Sequence, residues 1–266
     1  MQTEKAALAL LMAIASASGV SASEAAACMP ANFRMAIDVG HTRQRYGALS
    51  VHGKPEFEFN RNLAEELLAK LREKGFTGTE AVIQSDSDLE RRARDLSSRR
   101  PDLMLSLHHD SVEDKYLKTG LLDGQMRTYT EGFHGYSIFV SRDNAYLEDS
   151  ETFASLLGSE LRAQGLTPTY HHEVQEHRQV FDRPAGVFFY DALVVLHWTR
   201  APAVLLESAV ITDREDEQQA ESPAYRGYIT DAIIAAVLRF CDGLAARAAT
   251  RTASPPVASK KQDLRK

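Results

Sequence analysis

The sequence predicts a three-layer α/β fold in a single domain, with a mixed, mostly parallel sheet flanked by helices. Short apolar runs alternate with stretches of helical periodicity, the rhythm of successive βαβ units. At 266 residues and 44% hydrophobic, the chain can also bury one good core but not two large ones.

The first apolar run is Met35-Ala36-Ile37-Asp38-Val39, which reads as a buried strand stopped by Gly40 and followed by His41. A polar loop to about Pro55 leads into an amphipathic helix over 57–74, with Phe59, Leu63, Leu67, Leu68 and Leu71 near helical spacing. Ala81-Val82-Ile83 reads as a short strand and 87–99 as an arginine-rich helix. Leu103-Met104-Leu105-Ser106-Leu107 is a second buried strand, running into His108-His109-Asp110. A polar insertion at about 111–134 interrupts the rhythm, which resumes with a strand at Tyr136–Val140 and a helix at 150–164. Residues 166–190 read as irregular and 191–198 as helical; Ala203–Leu206 reads as a strand ending at Glu207, and about 223–247 as the final helix.

The ends of the chain stand apart from this core. Residues 1–27 read as a signal peptide: Lys5 precedes an apolar run from Ala6 to Ala17, too short to span a bilayer, and small residues at Val20-Ser21-Ala22 or Ala25-Ala26-Ala27 could be cleaved. Cys28 follows directly, which raises lipidation, although a Leu three residues earlier is missing. Cys28 and Cys241 are the only cysteines; in an oxidising compartment they could pair, and otherwise they are two free thiols. The net charge is −6, with −1 in the first 27 residues and +4 in the last 17, so residues 28–249 carry −9. So acidic a body excludes a nucleic-acid footprint of the usual basic kind. Residues 250–266 lack an apolar pattern and read as a disordered basic tail. No second long apolar stretch follows, so stable membrane insertion is not expected.

In a parallel sheet, His41, His108 and Glu207 reach one edge, and Glu58 opens the helix whose N-terminus lies on that edge. Each has a plainer reading alone: a structural histidine, a helix-start acid meeting the dipole, a surface residue after a strand. Together, two imidazoles and one carboxylate with a position left for water are the ligand set of a catalytic zinc site, and a second carboxylate is the proton carrier a zinc hydrolase needs. His172-Glu173-Val174-Gln175-Glu176-His177 resembles the metalloprotease H-E-x-x-H but is one residue too long, leaving its histidines about 140° apart on a helix. Arg91, Arg94, Arg99 and Arg100 read as a charged helix face.

These residues resemble the zinc-dependent N-acetylmuramoyl-L-alanine amidases of bacterial cell walls. The family's I-D-P-G-H-G-G is matched by Ile37-Asp38-Val39-Gly40-His41, with Gly47-Ala48 echoing a downstream Gly-Ala. Its helix-opening Glu, five residues before a Leu, is matched by Glu58 and Leu63, a spacing that Glu56 does not fit; its Leu-x-x-Arg is matched by Leu89 and Arg92. Its S-I-H-x-N/D is matched by Ser106-Leu107-His108-His109-Asp110, and its P-A-V-L-V-E by Pro202-Ala203-Val204-Leu205-Leu206-Glu207. Val39 and Thr42 depart from the family's Pro and Gly, and Ser208-Ala209-Val210 from its Gly-Phe.

The resemblance implies Zn2+ held by His41, Glu58 and His108, Glu207 as the catalytic acid/base, and Arg92 and His109 as candidate substrate-binding residues. It implies hydrolysis of the amide between N-acetylmuramic acid and L-alanine in peptidoglycan or muropeptides, with an activator protein possible and unidentified. The insertion at 111–134 is expected to act as a lid or regulatory element. The competing functions are another exported zinc amidohydrolase or peptidase on the same fold, and a non-catalytic wall-binding regulator.

Overall fold

The computed structural model describes residues 27–84, 88–175 and 178–253, with side chains to 250. The proposed signal peptide, apart from Ala27, and residues 254–266 of the tail lie outside the described residues, as does His177.

β1 (Met35–Val39) is buried at every position, as expected of a strand covered on both faces. α1 (Glu56–Glu73) follows, then β2 (Glu80–Val82), α2 (Leu89–Ser98) and β3 (Leu103–Asp110), which continues through the two histidines to Asp110. Asp88 caps α2 by accepting the Arg91 N–H at 3.0 Å. The insertion holds a hairpin of β4 (Lys118–Leu122) and β5 (Gln125–Tyr129), a separate two-stranded sheet.

The chain re-enters the main sheet at β6 (Ser137–Val140) and passes through α3 (Leu147–Ala163). The stretch expected to be irregular holds a short 3-10 turn at His171–Val174 and two strands, β7 (Gln179–Asp182) and β8 (Val187–Phe189). Then come α4 (Val194–Trp198), β9 (Ala203–Val210), α5 (Arg214–Glu221) and α6 (Pro223–Ala253). Glu207 therefore lies inside β9 rather than at its end, and α6 runs beyond 247 into the segment expected to be tail.

The seven strands are ordered β2-β1-β3-β9-β6-β8-β7. The β1 pairs with β2 and β3, the β3–β9 pair and the β6–β8 pair are parallel; β6 against β9 and β7 against β8 are antiparallel. Helices α1, α3 and α6 cover one face, burying Leu63, Leu67, Phe153, Leu157, Ile233 and Phe240 there. α2 and α4 cover part of the other face over Ala36, Met104 and Leu205.

Cys28 is bonded to Cys241, tying the first described residues to α6. Of the two readings of the cysteines, the pair is the one realised. Lipidation at Cys28 is set aside, because its sulfur is already used.

Candidate active site

The parallel register brings His108 beside Glu207, with β1 on the other side of β3. Gly40 prolongs the β1–β3 ladder by donating to the Leu107 carbonyl at 3.0 Å. His41 then turns the chain out of the sheet with φ 65°, a left-handed conformation uncommon for a non-glycine residue. Arg92 holds that turn: its Nε donates to Asp38 Oδ1 at 2.6 Å, its Nη1 to the His41 carbonyl at 3.1 Å, and its Nη2 to the Val39 carbonyl. Ser106 Oγ donates to the other Asp38 oxygen at 2.7 Å. Thr42 closes the turn with two 3.0 Å hydrogen bonds to Arg45, one through each residue's N–H.

The carboxylate that meets the histidines is Glu56, which corrects the expectation for Glu58. His41 Nε2 lies 2.8 Å from Glu56 Oε2, and His108 Nδ1 lies 3.0 Å from Glu56 Oε1. Glu58 is exposed; two residues on in a helix it is about 200° round from Glu56 and faces away from the buried side. Local closure puts Glu56 in place: Leu49 bridges Pro55, the Glu56 N–H donates to the Ala48 carbonyl at 2.9 Å, and the Ala48 N–H donates to Glu56 Oε2 at 3.1 Å. Asn60 Nδ2 and the His109 N–H both reach Glu56 Oε1 at 3.2 Å. Burial pushes the Glu56 carboxyl up, but the hydrogen bonds to His108 and His41 outweigh it and hold the group well below the usual carboxylate range.

Two glycines leave room for this cluster. A Cβ on Gly40 would stand 2.5 Å from His108 Nε2, and one on Gly47 would stand 2.2 Å from Glu56 Oε2. The Gly47-Ala48 pair is thus the sequence signal that marks Glu56, since it packs on that side chain.

His109 points to the opposite face from His108, as alternation along a strand requires. Its Nδ1 lies 2.8 Å from Asn60 Oδ1 and its ring 5.4 Å from that of Phe59. Burial lowers its pKa to about 3, so it is neutral. Of the two expected substrate-binding residues, His109 is enclosed against α1, away from the site, while Arg92 spends its guanidinium on Asp38 and the His41 turn and still lines the adjoining cavity.

Among the described residues Glu207 has no ion pair within 4 Å. Its Oε2 is buried without a hydrogen-bond partner among the described residues. Burial raises its pKa well above the carboxylate norm, and the charges of Asp110 and Glu56 raise it further, against a lowering by Arg178. A carboxyl with a raised pKa in register beside His108 is the kind of group that exchanges protons.

Beside His41 and His108, a largely apolar cavity of about 350 Å³ opens between α2 and α4, with Arg45, Leu89, Leu193 and Leu196 in its walls. A second cluster, Asp110 with His171 and His172, was not recognised in the sequence. No local spacing relates His171 and His172 to Asp110, which lies some sixty residues earlier.

A metal fits the first cluster. Two imidazoles and one carboxylate offer ligand atoms within 4.8 Å of one another, the glycine cradle admits no side chain between them, and the donor set suits a borderline ion such as zinc.

The chain is similar in fold to several solved structures. An N-acetylmuramyl-L-alanine amidase, Ami1, from Mycobacterium smegmatis superposes with TM-score 0.62 at 20% identity, covering 80% of this chain and 98% of that one. The catalytic domain of CwlV, an N-acetylmuramoyl-L-alanine amidase from Bacillus (Paenibacillus) polymyxa, gives 0.57 at 21%, covering 79% and 98%. The CwlD amidase of Clostridioides difficile, solved in complex with the GerS lipoprotein, gives 0.55 at 17%, covering 79% and 98%. No curated protein matches the chain. The Amidase_3 family model matches residues 35–239, which hold the sheet, His41, Glu56, His108 and Glu207, and the chain therefore belongs to this family of N-acetylmuramoyl-L-alanine amidases.

Proposed function

We propose that this peptidoglycan amidase is a zinc hydrolase in which His41, Glu56 and His108 hold the metal and Glu207 moves the proton. The observation that carries the reading is the convergence of both imidazoles on Glu56, with Glu207 in register beside His108 and its Oε2 without a hydrogen-bond partner among the described residues. The chemistry a bound zinc ion supplies is Lewis-acid polarisation of the scissile carbonyl and acidification of water toward neutral pH.

The chain's own residues do the rest. Arg92 and Asp38 fix the left-handed turn that aims His41, while Asn60 and the His109 and Ala48 N–H groups fix the Glu56 carboxylate. Glu207 accepts a proton from the attacking water at a carboxylate oxygen and returns it to the departing alanine nitrogen. The lactyl carbonyl carbon gains the hydroxyl oxygen as its bond to that nitrogen breaks. Arg45 and the apolar walls between α2 and α4 offer a surface for the flanking substrate.

Among the described residues no helix is long and apolar enough to cross a membrane. The disulfide and the wall substrate support export to the periplasm or exterior. Residues 1–27 as the export signal belong to the same proposal, as do a peptidoglycan or muropeptide substrate and an activator.

Digestion of purified peptidoglycan tests the reading. The expected products are stem peptides with free L-alanine amino ends, and a chelator abolishes their release. Cleavage at another amide would identify a different hydrolase, and wall binding without release would identify a regulator.

A further inference from the structure

Two residues beyond His108 on β3, Asp110 enters a cluster the reaction above does not use. His172 Nε2 lies 2.6 Å from Asp110 Oδ2, and His171 Nε2 lies 3.3 Å from the same oxygen. The imidazole rings are 3.8 Å apart, and both histidine side chains are 1% exposed. We propose that Asp110, His171 and His172 bind a second divalent transition-metal ion, beside the first site and across Glu207 from it.

Four features carry this. The ligand atoms of the three residues lie within 4.8 Å of one another, and two imidazoles with a carboxylate repeat the donor set of the first cluster. His171 Nε2 is buried with no hydrogen-bond partner among the described residues; its 3.3 Å approach to Asp110 lacks the alignment of a bond. The distal nitrogen of the same ring lies 2.9 Å from Thr169 Oγ1, the outer hydrogen bond that orients a metal-ligating histidine. The rings of Phe133, Phe139 and Phe188 enclose the pair at 5.0–5.8 Å, an apolar shell that keeps water from substituting for an ion.

Charge supports the same conclusion. Both histidines converge on one oxygen of Asp110, whose side chain is 12% exposed. The cation touching this region is Arg178, which reaches His172 Nδ1 and lies over the faces of Phe139 and Tyr190. That guanidinium meets His172 and leaves the largely enclosed Asp110 carboxylate to the two imidazoles, a charge that a divalent ion would compensate. An ion on the Nε2 side of His172 requires a proton on its Nδ1, so Arg178, which meets Nδ1 in this structure, would turn away on metal binding toward the cleft lined by Ser111, Glu113 and Gln175.

The test counts metal. Full-length mature protein is stripped with a chelator, reloaded with a small excess of Zn2+ and desalted, and zinc per chain is measured by mass spectrometry. Wild type is expected to hold two ions, Glu56→Gln one, and His171→Gln/His172→Gln one. A wild-type count of one that the double substitution leaves unchanged overturns the second site, and this count needs no variant to fold. If instead Glu56→Gln leaves the count at two while the double substitution lowers it, the second site stands and the assignment of the first fails.

Discussion

At the scale of single residues, the choice between Glu56 and Glu58 carries the metal assignment. Both are helix-start acids two positions apart, and their spacings to Leu63 favour Glu58 when only the helix is considered. A contact between separated segments decides otherwise: Leu49 pairs with Pro55 and folds Glu56 back onto Ala48, which no periodicity within the helix reveals. Glu56→Gln is expected to lose the first-site zinc at least tenfold more readily than wild type, while Glu58→Gln retains it, as read by competition with a chromogenic chelator. The departures at Val39 and Thr42 do not disturb the site. Val39 is buried in β1 and offers its carbonyl to Arg92, and Thr42 closes the turn with its hydroxyl.

At the scale of elements, the strands that build the site were legible because they are mostly apolar and covered on both faces: β1, β3, β6 and β9 all show as apolar runs broken by at most a few polar residues. The missed strands are short; β8 is apolar but only three residues long, and the others lack such runs. β5 reads Gln-Met-Arg-Thr-Tyr and β7 reads Gln-Val-Phe-Asp, both on partly exposed edges where hydrogen bonding to a neighbour, not burial, makes the strand. α5 was missed for a related reason: it is strongly polar and is held by its Asp213 cap and by Asp216. Asp216 is buried, and its Oδ2 accepts the Val210 N–H at 2.7 Å and the Gly135 N–H at 2.9 Å.

Burial raises the Asp216 pKa from 3.8 to about 6 despite those bonds. The folded state therefore binds this proton more tightly than the unfolded state. The stabilisation from protonation is full below pH 3.8 and is lost as pH rises through about 6. Asp216→Asn keeps an acceptor oxygen for both N–H groups but does not titrate. Its stability relative to wild type is expected to rise across that window by up to about 3 kcal/mol, from a shift of about two units at 1.36 kcal/mol each. Denaturant melts of both proteins from pH 4 to 7 check this, and parallel pH curves would remove Asp216 as the cause.

At the scale of the whole molecule, two long-range devices complete what the βαβ rhythm begins. The β6–β9 pair is antiparallel and joins the β6–β8–β7 group to the parallel strands, with Ser137 opposite Glu207. The Cys28–Cys241 disulfide closes a loop with a sequence separation of 213, linking the chain before β1 to α6. The cysteine count raised the pair as one of two possibilities, and the three-dimensional course of α6 makes it possible. Loop-closure entropy for so long a loop gives an upper value of about 5 kcal/mol, and ordinary structural disulfides contribute roughly 2–4 kcal/mol. Cys28→Ser/Cys241→Ser is accordingly expected to melt about 5–15 °C lower than wild type, at 2–4 °C per kcal/mol for a chain of this size. An unchanged melting temperature would show that the native contacts of α6 already hold the N-terminal segment.

The hairpin of the insertion is fastened to the body, not free of it. Asp123 meets His52 at 3.2 Å and Arg214 at 3.1 Å, and His52 meets Glu217 at 2.5 Å.

The central claim is that Glu207 moves the proton at a metal held by other residues. It is tested most directly by measuring, in one preparation, the zinc content and the rate of stem-peptide release of Glu207→Gln beside wild type. The predicted result is unchanged occupancy of the first site and an unchanged melting profile, with release slowed by about 10²–10⁴-fold, the usual contribution of a general acid–base group. A metal-loaded Glu207→Gln protein that releases peptides at the wild-type rate would contradict the mechanism.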